Sequence, residues 1–218
     1  MPPDLPATWR PAVLPDHDIE DEGTYRGLEF VDLDLAGREA ASVEFDGCRF
    51  QGTDLGGAVL EKAAFAHCVV TGCNLANVRA SSSSLRRAEI STSRMTGFQW
   101  VDGLVRDVTF EGCRLDLSTF RFSKFTDVVF TGCKLTGIDF TNADLGGARF
   151  VDCDLGGAQF NHANLDGTRF TRCELVDIGG AVDMRGAVLE GHNLVALAHT
   201  LAVALGITIE AAGDAPGA

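Results

Sequence analysis

The sequence predicts an all-β protein, a quadrilateral β-helix of about eight coils with a C-terminal capping α-helix. Three observations carry that reading. Every fifth residue from Tyr25 to Leu175 is apolar or aromatic. Two residues before each of these centres runs a second ladder of mostly small side chains, among them Cys48, Thr53, Ala58, Ala63, Cys68 and Cys73. Residues twenty apart share chemistry, as in Phe110, Phe130, Phe150 and Phe170, or Leu115, Leu135, Leu155 and Leu175.

The chain has 218 residues, 45% of them hydrophobic and 22% charged, enough for one well-buried domain. At that hydrophobic content, an unbroken run from Tyr25 to Leu175 arises by chance on the order of 10⁻¹¹.

Residues 1–24 read as a proline-rich acidic leader or cap. Five of the 6 prolines lie within the first fifteen residues, so a long backbone-paired region begins after them. Trp9, Val13, Leu14 and Ile19 are available to cover the first coil.

Residues 25–180 read as the β-helix. A period of five matches neither an α-helix nor a single strand. Two inward residues in every five close a square coil of four pentads, and stacked coils hydrogen-bond each backbone to the turns above and below. At about 4.8 Å per coil the rod is roughly 37 Å long. Recurrent glycines such as Gly52, Gly72, Gly112, Gly132, Gly147 and Gly157 serve the corners.

The beat falters in three places. Arg38 stands at an inward position before Ala40, and a buried unpaired guanidinium is prohibitive, so this pentad is expected to bulge outward. Between residues 80 and 105 Ala80 is undersized, Phe98 and Trp100 are oversized and Gly103 is empty; volume compensation accounts for this, with a functional kink as the alternative. After Leu175 the phase slips by one, with Met184 and Leu189 as the next centres.

Residues 181–210 read as a partial coil, a capping helix and a short strand at Ile207–Glu210, and residues 211–218 as a disordered tail. The helix puts Leu194, Leu197, Leu201 and Leu205 on one face and Val195, Ala196 and Val203 on the other, so the segment is also a candidate dimer interface.

No catalytic, cofactor or metal constellation emerges. The seven cysteines all occupy the small inward ladder, without a CxxC pair, and Cys113, Cys133, Cys153 and Cys173 stack in a column instead of converging as a tetrahedron. The five histidines are scattered, and the GxxxxGK[ST] phosphate loop is absent. With no signal-like or membrane-length apolar run, the expected location is cytoplasmic, without membrane contact.

Ala143-Asp144-Leu145, Cys153-Asp154-Leu155 and Ala163-Asn164-Leu165 resemble the A(D/N)LXX motif of the pentapeptide-repeat family. The resemblance implies right-handed coils. It also implies a choice between a non-enzymatic scaffold for an unknown protein partner and, as some bacterial members do, imitation of DNA at gyrase or topoisomerase IV, giving fluoroquinolone or self-resistance.

Charge weighs against the second. Roughly 22 negative charges line 37 Å of duplex DNA, whereas residues 25–180 carry 21 acids against 16 bases. The wall around the Leu35–Leu175 column is the most acidic, with Asp34, Asp54, Asp116, Asp154, Glu174 and Asp177 set against Arg94, Arg114 and Lys134. Residues 76–135 form a basic waist, nine cations against six acids, between two acidic segments. Direct nucleic-acid binding is not expected at a net charge of −13. Leu104, Leu117, Phe122 and Val129 occupy outward positions and suit a docking patch.

Overall fold

The computed structural model describes residues 1–208. Each pentad forms one side of a square coil, with the centre and the residue two before it turned inward. The walls are named here by their centres: side A (30 to 170), side B (35 to 175), side C (40 to 160) and side D (25 to 165). All pairing is parallel, and within the repeat it is offset by twenty, as in Phe110 against Phe130 and Phe130 against Phe150. Sides A and D carry most of the extended strands, including Ser84–Ser91, Leu104–Glu111 and Lys124–Thr131, which run across both. Side B is a column of tight turns joined by single bridges, from Asp34–Asp54 down to Asp154–Glu174.

The centres interlock as stacked rings. Phe110, Phe130, Phe150 and Phe170 lie 4.6, 4.9 and 5.0 Å apart and nearly coplanar, and the perpendicular column Phe120–Phe140–Phe160 meets them edge-on. Polar members of the small ladder donate to the coil before: Thr53 Oγ1 to the Phe30 carbonyl at 2.8 Å, Ser118 Oγ to that of Met95 at 2.7 Å and Thr168 Oγ1 to that of Leu145 at 2.7 Å. That donation removes the cost of burying a hydroxyl.

The Arg38 pentad does not bulge. Ala40 stays paired with Leu60 in register, and only the arginine side chain leaves the core, to an ion pair with Asp18 at 2.8 Å. The exit exists because this is the first coil, whose open end meets the leader instead of another coil. Ala80 and Trp100 are likewise paired in register, so the irregular middle is volume compensation without a kink. The Trp100 Nε1 lies over the site a side chain at position 103 would fill, leaving no room for a Cβ there. Compensation is incomplete: an apolar void of about 50 Å³ remains, lined by Ala80, Phe65, Leu75 and Trp100 among others.

The leader does more than cover the end. Arg10–Pro11 adds a strand to Leu28–Glu29, and Ala12 and Ile19 are buried against the first coil, whereas Val13 faces solvent. Upstream of that strand the chain climbs the D–A corner as a strap. Trp9 Nε1 donates to the Gly47 carbonyl at 3.0 Å, the Asp4 amide to His67 Nδ1 at 2.8 Å, and the Met1 ammonium meets Asp107 at 2.8 Å. At the other end Met184 is buried and Leu189 pairs with Phe170, after a 3-10 turn at Ala181–Asp183 absorbs the one-residue slip.

A single α-helix, α1 (Leu194–Ala204), follows. Its expected leucine face is not what the core meets: Leu197 packs on the core and Leu201 is half-buried, while Leu194 and Leu205 are exposed. Ile207 and Thr208 are not in a strand; the rest of the expected strand and the tail lie outside the described residues.

Candidate interaction surface

Every corner of the rod requires a left-handed backbone, with φ between about +46° and +74° at the residue two after each centre. Gly, Asn and Asp tolerate that conformation, and a bulky apolar residue loses about 1 kcal/mol or more in it. Among the corners from Gly27 to Asp177, two hold large apolar side chains: Leu117 at φ +58° and Phe122 at φ +59°. They are consecutive corners of one coil, at either end of its side C. Leu117 is 73% exposed and Phe122 is 52% exposed, so burial does not compensate the strain. The Leu117 corner is flanked along its column by Gly97 and Gly137, and the Phe122 corner by Asp102 and Asn142. Leu104 and Val129, the other two outward apolar candidates, are half-buried.

Cations surround this pair. Arg121 lies over the Phe122 ring at 5.5 Å, and Lys124 follows on side D, 3.7 Å from Asp144. On side B, the backbone bridges Arg94–Arg114–Lys134 stack three exposed cations on consecutive coils, past the Leu117 corner.

That ladder divides the predicted acidic wall. Asp34 and Asp54 stack at one end and Asp154 and Glu174 at the other, with Asp177 exposed on the last corner. Asp116 stands apart from both pairs, beside Arg114 at 3.7 Å and bonded by Thr96 Oγ1 at 3.0 Å. Several of these acids are engaged locally. Asp54 Oδ1 accepts the Gly56 amide and Asn74 Nδ2, and Asp154 Oδ1 accepts the Gly156 amide. They fold the side B turns as much as they charge the wall.

All seven cysteines are unbridged and buried. Burial pushes Cys68 up to about 12. The hydrogen bond with Cys113, and burial with it, pushes Cys133 up to about 12, while Cys113 is lowered as the partner of that bond. Thiols this basic stay protonated at neutral pH. Among the described residues, no group of three or more His, Cys, Asp or Glu is placed to hold a metal ion, and no helix is long and apolar enough to cross a membrane.

The family model described as pentapeptide repeat region matches residues 43–120 and 105–179, well over half of the chain. The chain is a pentapeptide-repeat protein. Solved structures similar to it include a trypsin-treated form of QnrB1, a plasmid-mediated fluoroquinolone resistance protein, at 20% identity over 88% of this chain and 97% of that one, with a TM-score of 0.36. HetL, a pentapeptide-repeat protein involved in heterocyst differentiation regulation in the cyanobacterium Nostoc, shows 15% identity over 78% and 90%, with a TM-score of 0.28. Rfr23, a pentapeptide-repeat protein of the cyanobacterium Cyanothece, shows 12% identity over 78% and 91%, with a TM-score of 0.20. Similarity this low says nothing of a shared partner. No curated protein matches the sequence significantly.

The corner pair was partly legible beforehand, since both residues sit at outward positions. The missed signal was the corner column itself: reading every residue two after a centre isolates Leu117 and Phe122 as its two large apolar members.

Proposed function

We propose that this pentapeptide-repeat protein is a non-enzymatic scaffold that binds a protein partner on the outer wall of its middle coils, in the cytoplasm. The observation that carries the reading is the pair of exposed, backbone-strained apolar corners at Leu117 and Phe122. Neither folding nor solubility favours such residues there, whereas desolvation against a partner does. The rod supplies the rigidity such a surface needs, because each wall residue is held by paired coils above and below.

The test is affinity capture from a lysate with the full chain as bait, against a Leu117→Gly, Phe122→Asn double variant. A protein retained by the first and lost by the second supports the reading; identical captured sets, or none, oppose it.

A second reading, DNA imitation at a type II topoisomerase, draws on the stacked acids Asp34–Asp54 and Asp154–Glu174. The cationic ladder between them opposes it, because a duplex presents continuous negative charge. Inhibition of gyrase supercoiling, or protection from a fluoroquinolone, at low micromolar protein would favour it; no effect at tens of micromolar would end it for that enzyme. A homodimer through α1, using the exposed Leu194 and Leu205 beside Leu197 and Leu201, is the assembly most compatible with the solvent-facing apolar residues there, and light scattering on the eluted protein reads it directly.

A further inference from the structure

We infer that the middle coils bind an acidic polypeptide segment carrying apolar or aromatic side chains, seated across side C between Leu117 and Phe122 with its carboxylates against Arg94, Arg114 and Lys134. The inference rests on the scaffold reading and adds the chemistry of the partner.

The rod's own ion pairs set the standard. Where a wall cation pairs, its acid stands about one coil away: Arg38 with Asp18, Arg49 with Glu29, Lys124 with Asp144 and Arg172 with Asp152. The side B ladder departs from that. Arg94 and Lys134 make no ion pair among the described residues, and Arg114 reaches only Asp116, at 3.7 Å. Like charges stacked on adjacent strands repel, and here three stand in succession. Shorter cation stacks occur, Arg86 on Arg106 and Arg149 on Arg169. The three-coil stack is the one that passes the Leu117 corner.

Two unfavourable features thus coincide: a stack of like charges of which Arg94 and Lys134 make no ion pair among the described residues, and strained, exposed apolar corners. Each is relieved by the same occupant. Carboxylates neutralise the ladder, and apolar side chains cover Leu117 and Phe122. Between them the wall of side C presents Gln99, Thr119 and Thr141, which offer a backbone uncharged hydrogen-bonding groups, and Asp139, whose charge is met by Arg121 at 3.7 Å. Leu117 leans along its column toward Gly137, its Cδ2 3.1 Å from where a Cβ there would stand. A bulkier corner at 137 would crowd it.

The experiment titrates the full chain with a labelled random glutamate–tyrosine copolymer, with polyglutamate of matched length and with duplex DNA, at low and raised salt. The copolymer is expected to bind at least about tenfold more tightly than polyglutamate, the effect of burying one aromatic side chain. Leu117→Gly with Phe122→Asn should abolish that preference while leaving polyglutamate binding, since these residue types already occupy neighbouring corners. Arg94→Gln, Arg114→Gln and Lys134→Gln together should abolish binding of both polymers and its salt dependence.

Equal binding of the two acidic polymers, tighter binding of duplex DNA, or a corner variant that keeps the preference would each overturn the inference. So would a fall in Tm of the corner variant, which would make Leu117 and Phe122 structural residues. If the ladder variant captures the same lysate protein as the unaltered chain and the corner variant loses it, the acidic partner fails while the scaffold reading stands.

Discussion

The half of the rod from residue 105 onward and the half before it share one backbone plan and differ in how well it is filled. In the later half the phenylalanine columns stack within 2–6° of parallel on side A, and every inward residue from Val105 to Ile178 is buried. In the earlier half side C passes from Leu60 through Ala80 to Trp100, and Phe65 and Leu75, both inward, remain partly uncovered around the void. Register survives in both. The backbone ladder therefore sets the coil, and the side chains set only how tightly it is packed, so a repeat tolerates poor filling that a less regular core would resolve by shifting an element.

The sharpest break in this contrast is Phe140→Ala. It removes a ring that five neighbouring rings enclose and should cost about 4 kcal/mol in denaturant unfolding. Next comes one substitution made in both halves. Ala158→Leu, in the filled half, should destabilise by about 1–3 kcal/mol through overpacking. Ala80→Leu should stabilise by about 1 kcal/mol, from the 50 Å³ void at about 24 cal/mol per Å³. Equal costs at both sites would mean that the two halves are filled alike.

Leu117→Gly is expected to raise stability by about 1 kcal/mol by relieving the left-handed corner, as thermal unfolding would read. A loss of that size would instead make the side chain part of the packing.

The smallest effect is electrostatic, and each half has one carboxylate depressed by an arginine. The bonded guanidinium of Arg38 lowers Asp18, and that of Arg172 lowers Asp152. A depressed carboxylate stabilises the fold above its unfolded value, near 3.8, and that contribution disappears as pH falls through the lower folded value. Asp18 holds the leader against the open first coil, so hydrogen exchange should show the leader loosening below pH 3.8 before the ladder does. An Asp152→Asn variant should lose its acid dependence without exposing any end.

Much of this was legible in the chain, and for a definite reason. In a twenty-residue coil the neighbour of residue i is residue i plus or minus 20, so one period specifies the core, the wall, the corner and the stacking partner of each residue from 25 to 175. Phe110 on Phe130, the cysteine column and the Arg94–Arg114–Lys134 ladder all follow from that count, and the slip to Met184 and Leu189 is visible as the place where it breaks. Tertiary structure alone decided what lies outside it. The leader is a strap bonded at Gly47 and His67, the Arg38 charge leaves through an open end to Asp18, a void persists beside Ala80, and Leu197 instead of Leu194 or Leu205 meets the core. Each depends on side-chain volumes or on contacts made once, and a periodic rule carries no information about an interaction that does not repeat.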